Sequence, residues 1–230
     1  MKQLLVFAII VASFSSCIGS KKYASFVSRY YKDTTTYFNN DNPQIDIQYV
    51  DSSGFTPVVK VLKGKNYCIP AIFYWAINEN YKCDLNPAIP ARIFGNAIYE
   101  NSLELVKNLK GCKLEITINS LPRRFTYQSR TDAAIFIVAY VVMGKQYIIP
   151  DDFTVSISYK ISRHGELIKK GDITGVTPAQ RFVNNRSTRK RITRQYLDSY
   201  DHHIRLAAKN ILHGLTETLE KIPPENVMSN

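Results

Sequence analysis

The strictest pattern in this sequence is an alternation of apolar and polar residues over positions 153–161. Every second residue there is Phe, Val, Ile or Tyr, and the residues between them are Thr, Ser or Lys. Because successive side chains of a strand point to opposite faces, the pattern predicts a strand with one buried face and one wet face. A shorter version at Leu114, Ile116 and Ile118 predicts a second strand of this kind, which is typical of antiparallel sheets.

Other segments predict more strands. Alternation from Ile45 to Tyr49 and the β-branched and aromatic stretches 58–62 and 71–77 are typical of strands. Residues 133–143 are eleven consecutive apolar residues, too few to span a bilayer, and they predict a central strand covered on both faces. The sequence Ser-Arg-His-Gly at 162–165 predicts a hairpin turn before a strand at 166–173.

Two helices are predicted from apolar residues that recur at intervals of three and four. The first begins near Pro87 or Pro90 and ends at Gly111, because proline suits a first turn and glycine a helix end. Its apolar face consists of Phe94, Ile98, Leu105 and Leu109. The second covers roughly 197–219. This order of elements predicts an α+β fold, with two main helices packed on a mostly antiparallel sheet.

The first seventeen residues have the composition of an export signal. Lys2 precedes the apolar run 4–12, and small residues follow it up to Cys17. The residues Phe14-Ser15-Ser16-Cys17 resemble the lipobox of bacterial lipoproteins, in a Bacteroidetes-like form with phenylalanine in place of leucine. The resemblance implies that Cys17 becomes the diacylated first residue. An ordinary signal peptide, which would leave Cys17 as a loop thiol, and an uncleaved signal anchor are the alternatives.

In lipoproteins of this kind, an acidic residue after the cysteine directs inner-membrane retention, and an acidic cluster directs surface export. Residues 18–22 contain neither. The resemblance therefore implies a lipid-anchored protein on the periplasmic face of the outer membrane. We expect a signal peptide at 1–16, an anchor and tether at 17–44, one α+β domain at 45–222 and a C-terminal tail at 223–230.

An amphipathic segment follows the proposed anchor. Its aromatic and apolar residues recur at helical spacing, and they are Tyr23, Phe26, Val27, Tyr30 and Tyr31. Two interpretations fit this pattern equally. Either a juxtamembrane helix lies at the level of the lipid headgroups, or a short helix packs its aromatic residues onto the domain.

The net charge of +11 favours an anionic partner, and export makes nucleic acid the least plausible one. The densest cluster of cations lies between Asp172 and Asp198 without an acidic residue among them. It consists of Arg181, Arg186, Arg189, Lys190, Arg191 and Arg194. The neighbouring Asn, Ser and Thr residues predict a loop that binds anionic lipid or an acidic partner subunit, and the alternative is a solvated loop.

Three cysteines remain beyond Cys17. If Cys68 and Cys83 bracket one strand, they lie about 50 Å apart, which is too far for a disulfide. The helix that follows would return Cys112 towards Cys68, so any disulfide is expected to join Cys68 to Cys112. Three buried reduced thiols are the alternative.

No catalytic or metal-binding motif is evident, and no cofactor is expected. Three of the four histidines, His202, His203 and His213, fall on the last predicted helix, and His164 falls in the turn. A nucleophile such as Cys83 would need a histidine brought close by folding. We therefore expect a non-enzymatic accessory or binding subunit of envelope assembly or lipid transport. An exported hydrolase or peptidase is the alternative.

Overall fold

The computed structural model describes residues 20–31, 42–50, 60–63, 68–69, 73–135, 140–151, 153–177, 181–184 and 188–222. The described helices are α1 (Ser20–Tyr30), α2 (Ala88–Glu100), α3 (Leu103–Leu109) and α4 (Arg189–Glu220). The described strands form two sheets, so the predicted α+β class is confirmed. The proposed lipobox with Cys17 and the residues 1–16 and 223–230 lie outside the described residues.

The first sheet has the order β1-β5-β8-β9. Its strands are β1 (Ile45–Tyr49), β5 (Lys113–Ser120), β8 (Phe153–Arg163) and β9 (Glu166–Thr177). The alternation in β8 is confirmed, because its apolar positions are buried and the residues between them are largely not. β1 runs parallel to β5, and the other pairs are antiparallel. His164 and Gly165 have φ of 50° and 88°, as a two-residue hairpin turn requires.

The second sheet has the order β10-β7-β6-β4-β2, and β3 also pairs with β4. Its strands are β2 (Lys60–Lys63), β3 (Cys68–Ile69), β4 (Phe73–Asp84), β6 (Arg124–Ile135), β7 (Tyr140–Pro150) and β10 (Phe182–Asn184). Every pairing in this sheet is antiparallel. Residues 73–77 of the predicted strand at 71–77 are the beginning of the longer strand β4.

The prediction of one covered central strand at 133–143 is wrong. The run is divided between the end of β6 and the beginning of β7, and Ile135 pairs with Tyr140. Val141 and Met143 are 47% and 61% exposed. An apolar run carries no information on where a chain reverses, and this one belongs to two antiparallel strands.

The helix predicted between Pro87 and Gly111 is two helices. Its apolar face is buried as predicted, but α2 ends before Asn101 and α3 begins after Ser102. The Asn101 amide donates to the Ala97 carbonyl at 2.7 Å, and the Ser102 hydroxyl donates to the Tyr99 carbonyl at 2.8 Å. These side chains bond to the last turn of α2, as such residues do where a helix ends.

Helix α4 lies at the centre of the domain and contacts the other three described helices and strands β7 and β9. It begins eight residues before the predicted start at 197. Thr188 precedes it in an extended conformation and accepts a hydrogen bond from the Arg191 amide at 3.4 Å. That contact is typical of a helix N-cap, and it places most of the predicted basic loop inside the helix.

Helix α1 packs onto the domain, which is the second of the two interpretations of its sequence. Tyr23, Val27 and Tyr31 are buried in the same hydrophobic core as the sheets and α4. Residues 20–31, which the sequence assigned to a tether, are therefore part of the folded unit.

Candidate functional site

The cations of the predicted basic loop lie mainly in the first two turns of α4. Arg189, Lys190, Arg191 and Arg194 are helical, so their assignment to a loop is wrong. Arg181 lies immediately before β10, and Arg186 is outside the described residues. No apolar periodicity before position 192 marks the start of this helix.

Arg189 points into the domain and is not available to a ligand in the way the sequence suggested. Its guanidinium forms an ion pair with Glu79 and donates to the Tyr81 hydroxyl at 3.1 Å. It also lies 4.7 Å from the centre of the Tyr81 ring and 5.2 Å from that of Tyr127. Arg189 therefore has a counterion from a distant strand, although no acidic residue lies among these cations in the sequence.

The protonation state of Arg189 follows from this environment. Burial alone would lower the pKa of the guanidinium, but Glu79 and the hydroxyls of Tyr127 and Tyr81 raise it by more. The net pKa lies above its ordinary value, so Arg189 is a permanent cation that anchors the start of α4 to the second sheet.

Three tyrosine rings surround this anchor. The ring centres of Tyr23 and Tyr81 are 5.3 Å apart, and Tyr127 lies 5.6 Å from Tyr23 and 5.9 Å from Tyr81. The hydroxyls of Tyr23 and Thr193 are hydrogen bonded at 2.8 Å. Tyr23 thereby joins α1 to both α4 and the second sheet.

The other cations at this end of the domain are exposed. Lys190 lies 5.9 Å from the Phe26 ring, and Arg181 lies 3.6 Å from the centre of the Tyr147 ring. The second sheet adds the exposed residues Arg130 and Lys145. They are opposite each other in the register of β6 and β7, one residue further along the strands than the position of Glu79. We call Arg130, Lys145, Arg181, Lys190, Arg191 and Arg194 the basic belt.

Sequence reasoning missed two members of the belt. Arg130 and Lys145 lie on separate strands, far in sequence from α4, and only strand register brings them to the level of Arg189. Arg130 also forms an ion pair with Asp132 at 3.0 Å. Isolated cations on predicted strands carry no signal of such a grouping.

The first residues of α1 lie at the same end of the domain as the basic belt. Tyr23 bonds to Thr193, and the Tyr31 hydroxyl donates to Asp201 at 2.8 Å. The two contacts are eight residues apart on α1 and also eight residues apart on α4, in the same order. The two helices therefore run in the same direction. The start of α1 is therefore beside the start of α4, and Cys17 precedes Ser20 by only three residues.

The cysteine chemistry differs from the expected pairing. Cys83 and Cys112 are buried free thiols, so the predicted bond from Cys68 to Cys112 is not formed. Cys112 leads into β5 of the first sheet, whereas Cys68 belongs to β3 of the second. Burial raises the pKa of the Cys83 thiol to about 12, which opposes the thiolate that a nucleophile requires.

Nδ1 of His203 is not placed to act as a general base for the neighbouring Ser199 hydroxyl. His203 Nδ1 lies 2.6 Å from the Ser199 carbonyl and 3.3 Å from the Ser199 hydroxyl. A carbonyl only accepts, so Nδ1 carries a proton there and cannot take one from the hydroxyl. Within the described ranges, no group of three or more His, Cys, Asp or Glu residues is placed to hold a metal ion.

One groove of about 350 Å³ opens where β1 and β5 end and β6 begins. It is lined by Tyr49, Val50, Asn119, Ser120, Leu121, Pro122, Arg123, Arg124, Asp151 and Thr154. Arg123 and Arg124 both face Asp84, at 3.1 and 3.4 Å. The lining contains neither histidine nor cysteine.

Comparisons of this chain with protein-family models, curated proteins and solved structures found no match. None of the described helices combines the length and the hydropathy that crossing a bilayer requires.

Proposed function

We propose that this chain is a lipid-anchored protein of the bacterial envelope that binds and does not catalyse, and that its basic belt contacts anionic lipid headgroups. The observation that supports this proposal is the position of the belt at the start of α1. Three residues extend at most about 11 Å, so a lipidated Cys17 would hold the belt close to the bilayer surface. In the envelope, such a domain would serve as an accessory or binding subunit of assembly or lipid transport.

The location of the cations on α4 also favours a role in binding anions over a role in stabilising the helix. Arg189, Lys190 and Arg191 open the helix, and no acidic residue lies in its first turn. The helix dipole is positive at this end, where cations destabilise a helix and anions are attracted. Lipid phosphates would therefore be attracted by both the side chains and the helix end.

The anchor is tested by replacing Cys17 with alanine in a Gram-negative host. We expect the unchanged chain to gain a lipid-sized mass and to fractionate with the outer membrane, because the thiol carries the diacylglycerol. The Cys17→Ala chain should lack both properties. Intact mass and membrane fractionation measure the result, and a soluble wild-type chain cleaved elsewhere would contradict the anchor.

The belt is tested separately with the mature chain from residue 17 carrying Cys17→Ser, so that no lipid is attached. Lys190, Arg191 and Arg194 are replaced together by serine. Each cation near an anionic surface contributes about 1 kcal/mol, so the loss of three should weaken binding to anionic vesicles about 100-fold. Co-sedimentation with vesicles at low and high salt gives the affinities.

A control variant removes the same charge elsewhere. Lys160 and Lys170 lie on the first sheet, and Lys209 lies about 28 Å along α4 from Lys190. Their joint replacement by serine should leave vesicle affinity close to that of the unchanged chain. Equal losses in the two variants would mean that net charge, and not the belt, determines binding.

A further inference from the structure

The second sheet extends beyond both helices at the end where α1 and α4 begin. The contact of Arg189 with Glu79 marks the start of α4, and Tyr196 lies against Phe125 further along the same strands. The helix therefore runs along the strands. Strand β4 continues six residues past Glu79 to Phe73, which corresponds to about 20 Å.

The outermost rows of this sheet are wholly apolar or aromatic. Register places Trp75, Ala133 and Val142 in one row, then Tyr74, Ala134 and Val141, then Phe73, Ile135 and Tyr140. We call residues 73–75, 133–135 and 140–142 the apolar extension. Its three rows correspond to about 10 Å of strand, and the row before them contains Asp132 and Met143.

Two apolar side chains that the structure describes at this end, both on β7, face solvent. Val141 in the extension is 47% exposed, and Met143 in the adjoining row is 61% exposed. Contiguous exposed apolar surface on a folded chain marks an interaction site more often than an isolated exposed residue does. The order of apolar and charged residues along these strands indicates which partner the apolar extension contacts.

From the end of the sheet inward, the residues are first apolar, then acidic and then basic. The apolar extension comes first, Asp132 follows it, and Arg130 and Lys145 of the basic belt lie two residues further in. From its interior outward a bilayer presents acyl chains and then anionic phosphates, which match the apolar extension and the basic belt, and Asp132 between them is paired with Arg130 at 3.0 Å. Tyrosine and tryptophan, which the extension contains, are the residues enriched at that boundary.

The short link between Cys17 and Ser20 also favours contact between the apolar extension and the membrane. Cys17 is at most about 11 Å from Ser20 when the chain is fully extended, whereas the sheet reaches about 20 Å beyond the start of α4. With the strands of the second sheet directed toward the bilayer, a link of this length from a lipidated Cys17 is too short to keep the extension in water.

We propose that the apolar extension inserts into the acyl layer of the membrane that carries the anchor, with the basic belt at the phosphates. The inference rests on the proposed membrane function. It adds a second contact of different chemistry, which reaches about 10 Å into a hydrocarbon layer of about 30 Å and does not span it.

Trp75 provides the test, because it is the only tryptophan in the chain and lies within the extension. The mature chain with Cys17→Ser is mixed with anionic vesicles whose phospholipids carry bromine on their acyl chains near the glycerol end. We expect bound protein to lose Trp75 emission relative to protein on unbrominated vesicles. Bromine near the terminal methyl groups should quench less, because insertion is shallow.

A pair of variants makes the test specific. Val141→Asp with Met143→Asp adds two charges at exposed positions of β7, and Leu167→Asp with Val176→Asp adds two at positions of β9 that are 56% and 67% exposed. Each protein is compared at lipid concentrations where it is fully sedimented. The β7 variant should lose the quenching, and the β9 variant should keep it.

The outcomes separate the inference from the proposed function. Sedimentation with anionic vesicles without Trp75 quenching would overturn insertion and leave the headgroup contact in place, as would equal quenching in both variants. Failure of the Cys17→Ser chain without other changes to sediment would overturn both insertion and the headgroup contact of the basic belt. Quenching that only the β7 variant loses would support insertion, and unchanged unfolding transitions would show that this variant is folded.

Discussion

Replacing Tyr23 by alanine is expected to lower the free energy of unfolding by about 3–5 kcal/mol, the range for removing a large aromatic side chain from a core. Tyr23 is 1% exposed and packs against two other tyrosine rings of the second sheet. Its loss would leave a cavity between α1, α4 and that sheet. Chemical denaturation of the mature chain, followed by circular dichroism, measures the change.

Two controls divide this effect into its parts. Tyr23→Phe keeps the ring and removes only the hydroxyl, and Thr193 still donates to the Arg189 carbonyl at 2.8 Å. That variant should lose about 0.5–1.5 kcal/mol. Lys22→Ala, at an exposed position of the same helix, should stay within about 0.5 kcal/mol of the unchanged chain.

A loss below about 1 kcal/mol for Tyr23→Ala would mean that α1 contributes little to the fold. The consequence would reach the membrane proposals, because the short distance from Cys17 to the basic belt depends on a docked α1. A detached α1 would add its own length to the link and allow the domain to move away from the bilayer.

The sequence predicted most of the helices and strands whose apolar residues recur at a regular spacing and are buried in the core. The apolar positions of β8 and the apolar face of α2 and α3 are buried where periodicity placed them. The turn at His164 and Gly165 was likewise predicted, because positive φ favours few residue types. These features are encoded locally, within a turn or a few residues.

What the sequence did not reveal depends on distant partners. The pairing of Glu79 with Arg189 joins residues 110 positions apart, and nothing near either residue distinguishes it from a solvated charge. The run at 133–143 is apolar in either a central strand or an extended hairpin, so composition alone could not separate them. The parallel pairing of β1 with β5 is likewise a property of topology.

Arg189→Met is expected to lower the free energy of unfolding by about 2–3 kcal/mol. Removing one member of a fully buried ion pair costs about 3–5 kcal/mol, and partial solvent access to both side chains reduces this figure. The side chains of Arg189 and Glu79 are 16% and 20% exposed. Methionine keeps the apolar stem but leaves the Glu79 carboxylate without its guanidinium partner.

A double-mutant cycle with Glu79→Gln tests whether the two charges act on each other. The double variant should lose less stability than the sum of the two single variants, by about 1 kcal/mol or more, because each single change already breaks the same pair. Additive losses would mean that the guanidinium acts through the tyrosine rings alone. Chemical denaturation of the four proteins gives the coupling energy.

The same variant decides whether Arg189 belongs to the ligand site or to the scaffold. Its guanidinium faces Glu79 and Tyr81, whereas Lys190, Arg191 and Arg194 face solvent. Arg189→Met should therefore reduce stability and leave the affinity for anionic vesicles nearly unchanged, and the serine variant of the three exposed cations should do the reverse. If Arg189→Met instead kept its stability and lost vesicle binding, Arg189 would be a headgroup ligand, as its position among the cations of the sequence first suggested.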